Sequence, residues 1–332
     1  MERSGKLAWS VRQESWQLRE PFHIKNYVFT HGDVVTVTLE DGDATGQGEA
    51  AGVYYRDETP AGMAAEIERT LTANPALDRD SLQQLLPPGG ARYALDSALW
   101  ALEAKRRKIP VWRLAGVGEP KPVRTTFTLG VDSVERTAAA ATASVRARAL
   151  KLKLAGDGDD AARIHAVRAA RPDVWIGVDA NQALDRAALL DLIPACVDCG
   201  VGLIEQPLPV GHEEDLRGLS LPIPLAADES FQSLADLDRI AGLFQVVNIK
   251  LDKCGGLTEA LKIATEAERL GIGVMAGTMI TTSLGLAPAF VLAQRCDIAD
   301  LDGPTFLAED RSPPAHYADG DVVVPMALWG GG

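Results

Sequence analysis

Six charged side chains in the second half of the chain recur at a nearly constant interval: Lys153, Asp179, Glu205, Asp228, Lys250 and Asp300. The spacings are 26, 26, 23, 22 and then 50, or twice 25, which is the length of one strand plus one helix. Each charge closes or nearly closes a short apolar run. In a closed parallel barrel the side chains at the C-terminal strand ends converge on one mouth, where such barrels do their chemistry. The interval therefore gathers six distant residues into one candidate site.

In Lys151-Leu152-Lys153-Leu154 the side chains of a strand alternate, so both lysines face one way and both leucines the other. The leucines suit the helices and the lysines the barrel interior. Two ammonium groups enclosed together repel each other and lose water, which predicts a fall from ~10.4 towards ~7.5, where a lysine serves as a general base. A solvated edge strand would explain two lysines alone; the flanking interval favours the barrel. Asp179, Glu205 and Asp228 end three successive strands, and three ionised carboxylates share a small volume only if a cation joins them. Oxygen ligands without His or Cys indicate Mg²⁺. Helix capping would account for one such residue, not for three in register.

Lys250 falls on the sixth strand, across the barrel from Lys153 on the second. A substrate between them would meet an amine on either face, an arrangement suited to taking a proton from carbon and returning it to the opposite side. Asp300-Leu301-Asp302 repeats the alternation on the eighth strand, so both carboxylates can face the mouth and hold a substrate cation, most simply an ammonium.

The positioning elements follow from periodicity. Residues 1–118 read as an α+β domain: a hairpin through Val34–Leu39, Asp41-Gly42 and an extended run to Ala50, then helices over Ala61–Ala73 and Ala91–Arg107. From Val123 short apolar strands alternate with amphipathic helices over Ser133–Ala147, Asp159–Arg171, Leu184–Cys199 and Leu257–Leu270, which means parallel strands with right-handed crossovers. Eight strands are expected near 124–129, 149–154, 174–179, 201–205, 223–228, 246–250, 273–277 and 297–302. The fold class is thus α/β, a (β/α)8-type modified TIM barrel over 119–306. Its α+β cap is formed by 1–118 and by the tail 307–332, extended from Asp321 to Leu328 and returning to the first domain.

Composition excludes several functions. The net charge of −13, from 33 basic and 46 acidic residues, would repel a phosphate backbone, so nucleic acid is not an expected partner. No apolar run nears the roughly 18 residues of a membrane span, and Met1–Leu18 lacks a secretion segment, so a cytoplasmic protein is expected. Cys196-x-x-Cys199 has no second pair to complete a zinc site, and the five histidines are scattered. Gly46-Gln-Gly48 lacks the third glycine of a dinucleotide turn.

The motifs Lys151-x-Lys153, Asp179-Ala-Asn181, Glu205-Gln-Pro207, Asp228-Glu-Ser230 and Asn248-Ile-Lys250-Leu-Asp-Lys253-x-Gly-Gly256 together resemble the muconate cycloisomerase subgroup of the enolase superfamily. Asp300-Leu-Asp302-Gly-Pro narrows the resemblance to the dipeptide epimerases of the L-Ala-D/L-Glu type, over about Pro21–Leu307. It implies one Mg²⁺ per subunit on Asp179, Glu205 and Asp228, stabilising an enediolate. It also implies a two-base 1,1-proton transfer by Lys153 and Lys250, a second positive contact from Lys151, and the dipeptide ammonium on Asp300 and Asp302. Thr128 and Thr278, Met279 and Ile280 would line the substrate. The aspartates would repel the carboxylate of an N-succinyl amino acid, which disfavours N-succinylamino acid racemases and o-succinylbenzoate synthases. In members acting on Ala-Glu a lid arginine meets the glutamate. Here Pro21–Phe29 has none, and Lys25, Tyr27 and Phe29 are the candidate lid residues. The partner is a small dipeptide; a homo-oligomer is left open, and murein peptide recycling follows if glutamate is accepted. Schiff-base aldolase barrels and a non-catalytic binding module are the rival classes.

Overall fold

The computed structural model describes residues 6–24 and 27–331. The first unit is an antiparallel sheet of β1 (Ala8–Ile24), β2 (Tyr27–Asp41) and β3 (Ala44–Ala50), in that order. The expected hairpin is present, with Asp41 paired to Ala44 and Val35 to Ala50. Strand β1 has no counterpart in the expectations. Only Leu18 of its side chains is fully buried; Trp9, Val11, Glu14 and Trp16 are half-buried between exposed neighbours, but the alternation slips at Arg12-Gln13 and includes a glutamate, which makes it a weak strand signal. A register shift between Gln17 and Phe22 interrupts its pairing with β2, and the tip beyond that shift reaches the barrel mouth.

Gly46 and Gly48 of β3 have a packing role. A Cβ on Gly48 would stand 2.1 Å from the Ala94 carbonyl oxygen, and one on Gly46 2.2 Å from that of Ala98. Their absence lets helix Gly90–Arg107 lie directly on the sheet. That helix in turn joins the cap to the barrel: Asp96 accepts from Thr258 N at 3.0 Å, capping helix Leu257–Leu270 from the other unit, and Arg92 Nε donates to the Gly255 carbonyl.

After β4 (Val123–Arg124), eight strands neighbour one another in one parallel sheet: β5 (Phe127–Leu129), β6 (Ala149–Lys153), β7 (Trp175–Asp179), β8 (Val201–Glu205), β9 (Leu225–Ala227), β10 (Val246–Lys250), β11 (Gly273–Gly277) and β12 (Ile298–Asp300). The strand expected over 124–129 is split. Its first part, β4, pairs with β14 (Asp321–Val323) beside β13 (His316–Ala318), and only β5 enters the barrel. The two ends of the barrel sheet meet through the intervening threonines: Thr126 N donates to the Ala299 carbonyl at 3.0 Å, and Leu301 N to Thr125 Oγ1 at 2.8 Å.

Side chains alternate as a strand requires. Leu150, Leu152 and Leu154 join the core that the helices share, whereas Leu203, Ala226, Val246 and Met275, with Trp175 and Ile298, form a separate apolar cluster drawn wholly from barrel strands. Two residues nearer the C-terminal ends on β8 and β12 and just past β9, and four nearer on β7 and β10, the same faces carry the charged groups. The helix expected over Ser133–Ala147 ends at Ala143, because Arg171 gathers the carbonyls of Ser144 and Ala147 and holds that turn away from the helix. The tail returns to the cap as expected, Trp329 Nε1 donating to the Gln47 and Ser97 carbonyls. It is extended only over Asp321–Val323: Pro325 has no N–H to pair, and a turn closes there with Leu328 N on its carbonyl. Among the described residues no helix is long and apolar enough to cross a membrane.

Because the clash at Gly48 is with backbone, Gly48→Ala is expected to destabilise the protein by about 1–3 kcal/mol. The midpoint of chemical denaturation would show this; an unchanged midpoint would mean that the helix rides farther from the sheet.

Candidate active site

Strand register sets the charged residues at one level. Lys153 pairs with Asp179, Asp179 with Glu205, and Lys250 with Gly277, which pairs with Asp300. Asp228 follows the end of β9. One carboxylate oxygen from each of Asp179, Glu205 and Asp228 can be chosen so that all lie within 4.8 Å of one another, and all three residues are buried.

Four lysines surround these acids. Lys151 Nζ lies 2.6 Å from Asp300, 2.9 Å from Glu205 and 3.2 Å from Asp179. Lys153 Nζ donates to Asp179 Oδ2 at 2.6 Å, and Lys250 Nζ to Asp228 Oδ2 at 2.7 Å. Lys253, fully buried, donates to Asp228 Oδ1 and to the carbonyls of Asp228 and Asn248. The two flanking amines thus rest on different members of the acidic triad.

The expected fall in lysine pKa from mutual repulsion is not what this arrangement produces. Burial acts to lower Lys151, but Asp300, Glu205 and Asp179 outweigh it and hold its ammonium well above the ordinary value. Lys250 is likewise raised, against its burial, chiefly by Asp228. Sequence alone paired Lys151 with Lys153, whereas the fold gives each a carboxylate. The acids respond unequally. Burial pushes Glu205 up to about 7, with Asp179 adding to the rise, whereas Asp228 is held far below the usual range, against its burial, by Lys250 and Lys253.

The triad fits a hard divalent cation. Its donors are all carboxylate oxygens, and Glu205 Oε2 is buried without a hydrogen bond: its ion pair with Lys151 lacks the angles of one. Glu205 Oε1 accepts from Asn248 Nδ2 at 2.8 Å.

Of the other expected site residues, Thr278, Met279 and Ile280 follow β11 and line a cavity of about 340 Å³ with Lys153 and Lys250 at its base. Phe22, Ile24, Phe29 and Tyr54 of the cap close its other side. Tyr27 packs edge-on against Tyr54 at 4.5 Å, 41% exposed and outside that wall. Lys25 lies outside the described residues. Asp300 and Asp302 are buried and do not border the cavity. Asp300 accepts from Lys151 and Thr126, and Asp302 Oδ2 accepts from Thr128 N at 2.6 Å. Cys196 and Cys199 are buried thiols, the former pushed up to about 12 by burial, the opposite of what thiolate chemistry needs.

Sequence reasoning quoted Asn181, Glu229, Asn248 and Lys253 only as motif members, without a role, and missed Thr126 and Tyr54. Asn248 stands two residues before Lys250 and Thr126 two before Thr128, so strand alternation could have found both. Tyr54 comes from a single turn, Tyr54–Arg56, with no periodic signal.

Removing Lys151 would leave Asp179, Glu205 and Asp300 without their shared cation. Lys151→Met is expected to cost the metal-free protein about 3–5 kcal/mol, read by chemical denaturation; a neutral result would show that the other lysines suffice.

Comparison with known proteins agrees with this architecture. Residues 6–116 match the mandelate racemase / muconate lactonizing enzyme N-terminal domain, and 133–328 the enolase C-terminal domain-like family. The L-Ala-D/L-Glu epimerase of Escherichia coli (strain K12) is 37% identical over 314 residues, 94% of this chain and 98% of that protein. A solved enolase family member from Agrobacterium tumefaciens with homology to dipeptide epimerases, bound to sodium and L-Ala-L-Glu, superposes with a TM-score of 0.94 at 39% identity, covering 98% of this chain and all of that one. The dipeptide epimerase of Methylococcus capsulatus with Mg and L-Arg-D-Lys gives a TM-score of 0.87 at 32% identity, covering 97% and 98%. With both domain families matched in order along one chain, the protein belongs to the mandelate racemase/muconate lactonizing enzyme group of the enolase superfamily and is an isomerase related to the dipeptide epimerases.

Proposed function

We propose that the chain is a Mg²⁺-dependent dipeptide epimerase that inverts the α-carbon of the C-terminal residue in L-Ala-x dipeptides by two-base 1,1-proton transfer. The observation carrying this reading is the placement of Lys153 and Lys250 on the second and sixth barrel strands, both at the base of one cavity, each on a different acid of the triad. Asp179, Glu205 and Asp228 are the metal ligands. Bound there, Mg²⁺ would offset the negative charge that the substrate carboxylate gains as the α-proton leaves, and would draw the triad's charge away from the lysines.

The chain's own groups supply the rest. One lysine, neutral, takes the α-proton to Nζ; the C–H electron pair spreads into the substrate carboxylate, and the other lysine returns a proton from its Nζ to the opposite face. Lys151 adds positive charge beside the carboxylate. Thr278, Met279 and Ile280 flank the peptide, and Asp300 and Asp302 would hold its free ammonium beside Thr128, which requires the two carboxylates to turn from Lys151 and the Thr128 N–H towards the cavity. Residues 1–118 and the tail 307–332 form the lid over the catalytic barrel 119–306, with Phe29 of the cap bordering the side-chain pocket. The substrate is a free small molecule in the cytoplasm, and glutamate at the second position would connect the enzyme to murein peptide recycling.

Incubating Ala-x dipeptides with Mg²⁺ in D₂O is expected to exchange the α-proton of the second residue. If no dipeptide exchanges, the reading fails. N-acetylation of the first residue removes the ammonium and should abolish turnover. Lys153→Ala and Lys250→Ala should each lower epimerisation by ~10²–10⁴-fold, with exchange surviving from one epimer.

Metal binding should depend on pH. In the metal-free protein the Glu205 carboxyl, raised to about 7 mainly by burial, is neutral below that pH and must lose its proton to bind a cation. Calorimetry is therefore expected to give weaker Mg²⁺ binding at pH 6 than at pH 8, with proton release on binding. Equal affinities would contradict it.

A further inference from the structure

The two proposed bases have unequal surroundings. Among the described residues Lys250 Nζ makes one hydrogen bond, to Asp228 Oδ2 at 2.7 Å. Lys153 Nζ makes two, to Asp179 Oδ2 at 2.6 Å and to Asn181 Oδ1 at 3.0 Å. Asn181 is itself held at both ends: Nδ2 donates to Glu229 Oε1 at 3.1 Å, and its backbone N–H to Asp179 Oδ1 at 2.9 Å.

This fixes which way the amide faces. Turned over, it would aim its NH₂ at the Lys153 ammonium, which has no lone pair to accept it. The backbone is committed to the same purpose. Asn181 has φ +41° and Gln182 φ +68°, a left-handed stretch that Asn tolerates better than most residues, and it leaves the Asn181 side chain bordering the cavity beside Lys153. Glu229 is only 5% exposed, and its Oε2 has no hydrogen-bond partner. A buried carboxylate so poorly satisfied is costly and demands a function.

The geometry points to Asn181, oriented by Glu229, as a positioning residue that aims the Lys153 amine and makes the two proton-transferring lysines unequal. This rests on the epimerase reading and adds to it an asymmetry between the bases. Lys153 must swing between its acid and the substrate α-carbon, and a fixed amide oxygen beside it restricts that movement to one path. Lys250 has no such guide among the described residues. Epimerisation in either direction passes through both lysines and should slow in proportion, but α-proton exchange needs only the lysine that faces that proton, so loss of the amide should slow exchange of the epimer served by Lys153 and spare exchange of the other.

The test uses Lys153→Ala to identify the epimer whose α-proton Lys153 removes, as the one that no longer exchanges in D₂O. Asn181→Ala and Glu229→Leu are then expected to slow exchange of that same epimer by roughly 10- to 100-fold, in kcat more than in KM, and to leave the other nearly unchanged. Glu229→Gln keeps an acceptor for the amide and should lose less than Glu229→Leu on the same epimer. Mg²⁺ affinity, measured separately by calorimetry, should match that of the unsubstituted protein, because neither side chain belongs to the triad. Equal slowing of both epimers, slowing confined to the epimer served by Lys250, no slowing, or a parallel loss of Mg²⁺ affinity would each overturn the assignment. An unsubstituted protein that exchanges no dipeptide would overturn the epimerase reading instead, so the two failures are distinct.

Discussion

Carboxylates removed from water at the mouth of a barrel must be matched by cations placed within a few ångströms, and the rest of this protein is arranged around that requirement. Asp179, Glu205, Asp228 and Asp300 are all buried, and Lys151, Lys153, Lys250 and Lys253 stand against them. Beneath this layer Leu203, Val246, Met275 and their neighbours fill the barrel with apolar side chains, so the charges have no route to bulk water from below. The same scarcity of water that makes the cluster expensive makes its electrostatics strong at the point where charge develops in a proton transfer. A divalent cation would shift the balance further. Carboxylate charge that now holds Lys151 and Lys250 protonated would be shared with the metal, which is the condition for an amine to act as a base.

The cap is tied to the barrel at points that also shape the cavity. Asp252, next to Lys253, accepts from Ala51 N and Gly52 N at 2.9 and 2.8 Å, and both of those residues border the cavity. On the other side Glu49, buried in β3, accepts from Thr281 and Thr282 and from Arg311 of the tail, which fixes the loop carrying Thr278–Ile280. The loops that border the cavity are thus held by hydrogen bonds to buried carboxylates between cap and barrel. The aromatic tip of β1 and β2, by contrast, is held largely by ring contacts among Phe22, Phe29, Tyr27, Tyr54 and Phe306. Its chemistry is apolar and adaptable, where that of the barrel mouth is ionic and fixed.

The even spacing of charges from Lys153 to Asp300 was enough to read from sequence eight strands, the clustering of Asp179, Glu205 and Asp228, and lysines on the second and sixth strands, because a strand-helix unit has a nearly fixed length and strand side chains alternate. Strand alternation also predicted that Leu152 and Leu154 would leave the barrel while Lys151 and Lys153 entered it. Those are local regularities, and local regularities are written in the order of residues. What each charge would face was decided only by tertiary structure. Lys151 was expected to be weakened by Lys153, yet register across β5, β6 and β12 gives it Asp300 and a raised pKa. Strand β1 escaped notice because its alternation slips at Arg12-Gln13 and sets half-buried rather than buried side chains against exposed ones. The Asn181–Glu229 contact escaped too, since it joins residues 48 apart through a left-handed turn that no periodicity announces. Sequence determined which groups could reach the mouth, because period and strand direction are properties of the chain; only the closed barrel decided their partners, because pairing depends on distances between strands that the chain does not encode one residue at a time.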